Sequence, residues 1–432
     1  MKSIDFPIPK EREEIYKYYQ LDFDINGCPM KRVNGKLVFH PLYPAYLMNN
    51  YLGRFKRTNE KEYFNYAKDM AKISLKHSSD FLDSRVFFYE ANSPLVNKNV
   101  HTSRFYSALT QSRWIDVLCQ IERIEPDSFL QEIKLFYNSL LVDIESGGVL
   151  RKIKQGWVAE EYPKAQSLVT LNGWLTVLNN LIKNLDILSQ DKYATKVPVE
   201  HFLDKNFDAL ESLLPLYDLP TLNNSRYQLS GASQIKIIHQ SPLRCQGFSV
   251  SVPNENTFDG ILTRGGRWTN HLLQTTSNFL TFNVIFGLVS FPEKNIFNVK
   301  LHSHAPQEIS LYVGIGDFIP RQAFFVPSRW EKFEEKVVLN KGINNLSFPV
   351  PYNPLNLFAY PTPFTKYLEG KGTKPYNTYH FIHIHGLESV YLHSKRKVFR
   401  DYLNLWRSYV PKWEEMKILK NVNTSQYKGN SK

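Results

Sequence analysis

The spacing of apolar residues changes period twice along this chain, and that limits the fold more than any other feature. Leu42, Ala45, Tyr46, Asn49 and Leu52 mark one helical face, and Tyr63, Tyr66, Ala67, Met70, Ile73 and His77 a second. Phe105, Leu109, Trp114 and Val117 predict a third helix. Phe129, Ile133, Phe136 and Leu140 predict a fourth, with Pro126-Asp127 at its start. Leu171, Leu175, Leu178, Ile182 and Leu185 form a long fifth, and Phe202, Phe207, Leu210 and Leu214 a sixth. Around Gln228 the texture shifts. From about 231 to 375 Val, Ile and Phe alternate with polar residues, punctuated by Asn, Gly and Pro. Strands are predicted at 235–238, 279–291, 297–302, 309–313, 324–326, 337–339 and 346–349. Helical spacing returns at Tyr379, with Leu387, Val390 and Tyr391 on one helix and Val398, Tyr402, Leu405 and Tyr409 on the next.

Short loops between such helices favour antiparallel pairs, and six or more in sequence predict an α/α toroid, an incomplete helical barrel with a cleft at one end. The short strands predict an antiparallel β-sandwich of roughly jelly-roll type. The expected fold class is therefore α+β multidomain, a toroid interrupted by an inserted sandwich. Residues 1–40 form an N-terminal segment with a hairpin over 33–38 that turns at Asn34-Gly35. The toroid's first part spans 41–230, the sandwich 231–375 and the closing helices 376–420. Residues 421–432 are a frayed tail.

The 432 residues suit two domains, and 42% hydrophobic content suits a sizeable core. The net charge of +12 fits a polyanionic partner, and charge alone leaves nucleic acid, anionic lipid and acidic polysaccharide open. The 25 tyrosines and 29 phenylalanines could stack on sugars or on bases. Cys28, Cys119 and Cys245 lie far apart with no C-x-x-C, which disfavours a zinc ribbon or a disulfide framework. The N-terminus has charges where a signal peptide needs an apolar core, and no run approaches the roughly 18 apolar residues of a membrane span. These features predict a cytoplasmic protein with no integral membrane segment. Association as a homodimer is compatible with the sequence.

The chemistry concentrates in W-V-A-E-E-Y-P-K-A-Q-S-L-V-T-L-N, from Trp157 to Asn172. Glu160, Glu161 and Tyr162 stand side by side, Pro163 fits the first turn of a helix, and an amphipathic run begins at Leu168. An acid and a phenol are thus placed on a loop that a helix holds in position. The plainer reading makes Glu160-Glu161 ordinary helix N-terminal carboxylates, favoured by the helix dipole. His380, His383 and His385 have a spacing that suggests metal. Only His380 and His383 share a helical face, however, and H-E-x-x-H is lacking, so no metal is expected.

E-E-Y-P followed by Ser167, Val169 and Leu171–Asn172–Gly173–Trp174 resembles the C-terminal catalytic region of the D-glucuronyl C5-epimerases. F-Y-S-A-L-T-Q-S at Phe105–Ser112, L-P-L-Y-D at Leu214–Asp218, Tyr227, Y-H-x-x-H-I from Tyr379 and W-R-S-Y at Trp406–Tyr409 are similar to that family's blocks, in the same order. Two departures stand out. Gln228 and Ser230 occupy positions where the family has Asp and Arg, and the β portion lies inside the helical part rather than before it.

The resemblance implies conversion of D-glucuronyl to L-iduronyl residues in an acidic, heparosan-like polysaccharide, by proton removal and return at C5. Such a site needs a base and an acid on opposite faces, groups that neutralise the carboxylate as it becomes an enolate, and a cleft that holds the polymer. Glu161, Tyr162, Tyr227 and Tyr379 are the implied catalytic residues, with Glu161 and Tyr379 facing C5 from opposite sides. A tyrosine, with its ordinary pKa of about 10, serves naturally as the acid. Arg104, Arg226, His380 and Arg407 are candidates for the substrate carboxylate, with Tyr106, Gln111 and Asn172 as further substrate-binding residues. Arg226 could stand in for the family's arginine, whose place Ser230 takes here. No cofactor is required. A polysaccharide lyase would begin with the same C5 abstraction and then expel the C4 substituent, and a non-catalytic glycan-binding protein could keep the cleft. Nucleic-acid binding is not expected, because no recognised motif accompanies the charge.

Overall fold

The computed structural model describes residues 6–90, 104–163, 169–193, 195–220, 223–251, 258–259, 262–264, 266–269, 272–287, 296–321, 324–349, 378–413 and 415. Ser167, Leu168, residues 350–377 of the expected β and closing segments, and the expected tail lie outside these. The protein is mixed helix and sheet, α+β as expected. It divides into two units. One comprises Met1–Lys164, Val169–Leu214 and Pro363–Lys432, and the other Ala165–Leu168 and Pro215–Thr362.

The first unit opens with α1 (Glu13–Tyr18) and a three-stranded sheet, β1 (Leu21–Phe23), β2 (Pro29–Val33) and β3 (Lys36–Phe39). Its β2–β3 hairpin turns at Asn34 and Gly35, both with positive φ (50° and 79°). That is the geometry an Asn-Gly pair adopts most readily. Next come α2 (Leu42–Thr58), α3 (Lys61–Leu75) and the hairpin of β4 (Ser79–Phe81) with β5 (Ser84–Val86). Then follow α4 (Ala108–Glu122), α5 (Leu130–Ser139) and a second hairpin, β6 (Leu150–Ile153) with β7 (Gly156–Ala159). The run ends with α6 (Leu171–Lys183), α7 (Leu185–Leu188) and α8 (Val199–Tyr217). The unit closes with α9 (Thr378–Ser394) and α10 (Lys397–Lys412).

Helix α4 is the centre of this unit. Every one of its residues except Arg113 is buried. A helix buried all round must satisfy each polar side chain from its neighbours. Asp116 is met by Asn184 Nδ2 (2.9 Å) and Lys183 Nζ (2.8 Å), and Gln120 by Lys56 Nζ (3.0 Å). Glu122 is met by the Tyr193 hydroxyl (2.8 Å) and the Asp127 amide (2.7 Å). Trp114 donates its indole N–H to the Pro41 carbonyl (2.9 Å) and stacks with Phe87 and Phe136. Helix α5 begins at Leu130, so Pro126-Asp127 forms the turn before it, with Asp127 at φ 62°.

On α10 the buried face is Phe399, Leu403, Trp406, Tyr409 and Val410, not the expected Val398, Tyr402 and Leu405. The large Trp406 indole takes the core position and turns the helix toward it.

The second unit carries the short hairpin β8 (Asp218–Leu219) with β9 (Asn224–Ser225) and two larger antiparallel sheets. Their strands are β10 (Ser230–His239), β11 (Leu243–Ser251), β12 (Phe258–Asp259), β13 (Leu262–Arg264), β14 (Gly266–Thr269), β15 (Leu272–Thr275), β16 (Phe279–Gly287), β17 (Ile296–Ser303), β18 (Gln307–Arg321), β19 (Phe324–Leu339) and β20 (Gly342–Pro349). One sheet has the order β13-β16-β10-β18-β19. The other runs β14-β15-β11-β17-β20, with β12 paired to β11. Phe282 of the first sheet meets Phe248 (4.7 Å) and Phe297 (5.4 Å) of the second, between ring centroids. The strands expected at 324–326 and 337–339 are the two ends of one strand, β19.

Gly386 of α9 packs against α6, and a Cβ there would come within 3.0 Å of Leu175 Cβ and 3.2 Å of Asn179 Nδ2. Gly386→Val is expected to lower stability by about 1–3 kcal/mol through overpacking. Urea denaturation should show a lower midpoint at unchanged slope.

Candidate active site

The site is built around two adjacent glutamates with different environments. Hairpin β6–β7 delivers the chain to Glu160, whose amide donates to the Val149 carbonyl (2.9 Å) and whose carbonyl accepts from the Ala108 amide at the start of α4 (3.1 Å). Its buried carboxylate accepts from Arg151 Nε (2.9 Å) and from the Val169 amide (3.1 Å). Val169 is held at φ 39°, an uncommon conformation for a β-branched residue. Glu160 thus ties three segments together. The expected helix start at Pro163 runs into residues 164–168, which lie outside the described residues; α6 starts at Leu171 with Thr170 before it. The glutamates are therefore not in the helix's first turn by sequence, yet Glu161 folds back onto that turn.

Glu161 is buried, at 6% exposure. Tyr162 hydrogen-bonds its carboxyl group, and among the described residues nothing bonds to Oε2. Burial raises its pKa to about 7; the Tyr162 hydrogen bond opposes the shift and the Glu160 charge adds to it. The carboxyl lies on Gly173 of α6, where a Cβ would fall 2.2 Å from Glu161 Oε2 and 2.7 Å from its Cβ. Gly173 is what lets the acid lie against the helix. Beside it, Thr170 Oγ1 and Asn172 Oδ1 are also buried without hydrogen-bond partners among the described residues. Unpaired buried polar atoms cost about 1–3 kcal/mol each, so a cluster of them marks a place made for a polar ligand.

Two phenols lie within reach of the Glu161 charge. Tyr46 of α2 keeps part of its surface open while its hydroxyl lies inside. Burial raises its pKa, the Arg113 charge opposes this, and the Glu161 charge adds to it. Tyr89 hydrogen-bonds Thr110 Oγ1 through its hydroxyl (3.0 Å), and burial raises its pKa, with a contribution from Glu161. Its ring stacks on Phe105 (5.2 Å), which in turn lies 6.4 Å from Tyr162. His40 stacks on Tyr43 (4.5 Å), meets the Tyr89 edge (5.9 Å) and is held neutral by burial, with a pKa near 4. Helices α2, α4 and α6 and two loops therefore bring a carboxyl, three phenols, a guanidinium and an amide into one neighbourhood.

Of the candidates named from sequence, Glu161, Tyr162 and Asn172 fall in this group. Tyr46, Tyr89, Thr170 and Arg113 are additions. A charged residue inside the apolar run of α4 was the one available signal, for Arg113.

Several other candidates are engaged elsewhere. Tyr106 is buried and donates to the Ser139 carbonyl (2.8 Å). Gln111 is buried too, donating to the Arg85 carbonyl (2.8 Å) and Ser139 Oγ (2.9 Å) while accepting from the Phe87 amide. Arg104 is exposed and lies over the Phe88 ring (4.4 Å), and Arg407 pairs with Glu388 (2.5 Å). His380 is fully buried, bonded to the Trp406 carbonyl (3.1 Å) and surrounded by Trp406, Tyr409 and Trp413. Burial lowers its pKa to about 4, so it carries no charge at neutral pH. Tyr379 stands half-buried in the first turn of α9. Arg226 and Tyr227 belong to the second unit, where the Arg226 amide donates to the Tyr217 carbonyl (2.7 Å).

Among the described residues, no group of three His, Cys, Asp or Glu could hold a metal ion, and no helix is long and apolar enough to cross a membrane. A cleft of about 190 Å³ lined by Tyr137, Leu188, Asp191 and Glu200 is formed by none of the residues around Glu161.

A buried carboxyl whose pKa is raised to about 7, with phenols in its field, is chemically suited to take up and return protons. Residues 82–244 match the family model described as D-glucuronyl C5-epimerase C-terminus. The match contains Glu161, Tyr162, Asn172, Arg226 and Tyr227, whereas Tyr379, His380 and Arg407 lie beyond it. None of the curated proteins matches the chain.

The environment of Glu161 makes stability depend on pH. Its folded pKa, about 7, exceeds the ordinary 4.5, so its ionisation opposes folding. Its stabilising share is complete below pH ~4.5 and is lost as the pH rises through ~7, a penalty of about 3 kcal/mol above that. Glu161→Gln should therefore raise stability at pH 8 by up to about 3 kcal/mol and change little at pH 4.5, measured by urea denaturation at both pH values. Gly173→Ala should displace the carboxyl and abolish activity. In a Glu161→Ala background the same change should cost at least about 1 kcal/mol less stability than in the wild type, because the clash is gone.

Proposed function

We propose that the protein is a C5-epimerase that converts D-glucuronyl to L-iduronyl residues within an acidic polysaccharide. The observation that carries this reading is Glu161, a buried carboxyl near neutrality with Oε2 unpaired among the described residues, in the part of the chain that matches the epimerase family model. In the ionised form Oε2 takes the proton from C5. The C5–H electron pair moves into the neighbouring carboxylate, which becomes an enolate dianion. A phenol on the opposite face donates its O–H proton to C5, and the enolate electrons return to form the new C–H bond. The configuration inverts without oxidation or reduction; Glu161 then releases its proton to solvent and the phenolate takes one up.

A pKa near 7 suits the carboxyl to both directions of transfer. Tyr162 and Tyr379, which share a unit with Glu161, are our candidates for the phenol. Asn172 Oδ1 is suited to accept a sugar hydroxyl. The toroid and sandwich architectures form part of the same reading, with the helical unit as the polymer-binding body. It is supported by the antiparallel sheets and the helices packed around α4.

Incubation with heparosan in D2O tests this. NMR should show deuterium at C5 and new iduronyl signals in chains of unchanged length, with both lost in Glu161→Gln and Tyr379→Phe. Shortened chains ending in a C4–C5 double bond would make the protein a lyase. Binding without exchange or cleavage would make it a glycan-binding protein.

A further inference from the structure

The residue that stands apart in the helical unit is Arg113. It is the only member of α4 that is not buried, in a helix whose other charged and amide side chains are met by protein partners. Among the described residues, Arg113 makes no ion pair, and its Nε is buried without a hydrogen-bond acceptor. Its guanidinium lies 5.9 Å from the centroid of the Tyr46 ring, near the outer limit of a cation–π contact. Holding a half-buried guanidinium in an unpaired state is unfavourable unless a ligand completes it.

Its placement connects it with Glu161. Arg113 follows Thr110 by three residues, so the two share a face of α4. Thr110 holds the Tyr89 hydroxyl, and Arg113 lies against Tyr46. Both of these phenols sense the Glu161 charge. The start of α4 is also bound to the Glu160 carbonyl, next to Glu161 in the chain (3.1 Å). One face of α4 therefore carries a cation beside Tyr46, a phenol that the Glu161 charge also reaches.

We infer that Arg113 is the residue that binds the carboxylate of the substrate's uronyl unit, with Tyr46 as the platform that orients its guanidinium. This rests on the proposed epimerase reading. It deepens that reading, because the arginine expected after Tyr227 is replaced by Ser230, and Arg104, Arg407 and His380 are engaged elsewhere or uncharged. The planar fork of arginine matches a carboxylate through two parallel hydrogen bonds, and its charge interacts most strongly with the enolate dianion. The interaction thus strengthens as C5 loses its proton, so removing it should act mainly on kcat.

The test compares wild type with Arg113→Gln, Arg113→Lys and Arg226→Gln, using native glucuronyl oligosaccharides and the same oligosaccharides with carboxyl groups reduced to alcohols. Calorimetry gives binding, and deuterium uptake at C5 gives turnover. Circular dichroism and urea denaturation establish that each variant is folded. Arg113→Gln should lower kcat/KM for exchange about a hundredfold, mostly through kcat, with guanidinium ion restoring part of the loss. Arg113→Lys should fall between it and wild type. Wild type should bind the native ligand more tightly than the reduced one, and Arg113→Gln should lose that preference.

The inference is overturned if Arg113→Gln keeps both exchange and preference, or if the preference is lost in Arg226→Gln instead. Wild type that prefers the carboxylate through Arg113 but exchanges no deuterium retains the binding assignment and removes the epimerase reading. Wild type that binds no glucuronyl oligosaccharide overturns both.

Discussion

The ion pair between Arg151 and Glu160 is the interaction on which the candidate site depends. Both side chains are buried, at 8% and 1% exposure, so each charge has lost most of its hydration. The pair is supported by neighbouring hydrogen bonds: the Glu160 carboxylate also receives the Val169 amide, and its backbone is tied to Val149 and Ala108. Removing one partner of such a buried pair typically costs about 3–5 kcal/mol, because the other charge is left uncompensated. Here that energy fixes geometry as well. It sets the loop before Glu161, the unusual backbone at Val169 and the registry of β7 with α4. The two adjacent glutamates have separate tasks: Glu160 is saturated with donors and acts as an anchor, while Glu161 keeps an oxygen unpaired among the described residues.

That separation explains why one carboxyl is poised for proton transfer and its neighbour is not. Arg151 and the Val169 amide hold the Glu160 carboxylate in place, whereas burial and the adjacent Glu160 charge disfavour the charged form of Glu161. Gly173 makes this bed possible. A side chain there would push the acid off the helix and into water, where its pKa would return toward the ordinary value. The stability that Glu161 withdraws near neutral pH is regained in the packing of α4 and α6. Trp174 bonds Asn206 and Asn180 bonds Ser112, with nearly every apolar group between them excluded from solvent.

Helices α3, α6 and α8 were legible because their apolar spacing recurs over several turns, whereas on α2 only Ala45 and Leu52 of the expected face are buried. The hairpin at Asn34-Gly35 was legible because few sequences adopt two successive positive φ values. Periodicity failed on α10, where one indole outweighs three smaller residues in choosing the buried face. It also failed on β11, whose Arg-Cys-Gln-Gly carries little apolar alternation; that strand is held by pairing with β15 and β17. The E-E-Y-P block pointed to Glu161, but no local pattern could tell which glutamate would be anchored, since the anchor, Arg151, lies across a hairpin. Tyr106, Gln111 and His380 sit in blocks that resemble the family, yet their side chains serve the scaffold. A motif preserves packing as readily as chemistry.

Tyr46 and Arg113 show the complementary case, in which tertiary structure adds members to a site that no motif contains. Tyr46 lies on a helix far from E-E-Y-P in sequence, at the edge of that helix's buried face. What distinguishes it is that two opposite charges, Arg113 and Glu161, both act on its hydroxyl. A carboxylate-bearing sugar introduced between a guanidinium and an ionisable carboxyl would meet attraction at one end and a proton acceptor at the other. That polarity fixes which way round the ring must lie, and so which hydrogen faces the base. Orientation in such a site would come from opposite charges acting together rather than from the acid alone, and α4 links the two by carrying Arg113 and by donating the Ala108 amide to the Glu160 carbonyl.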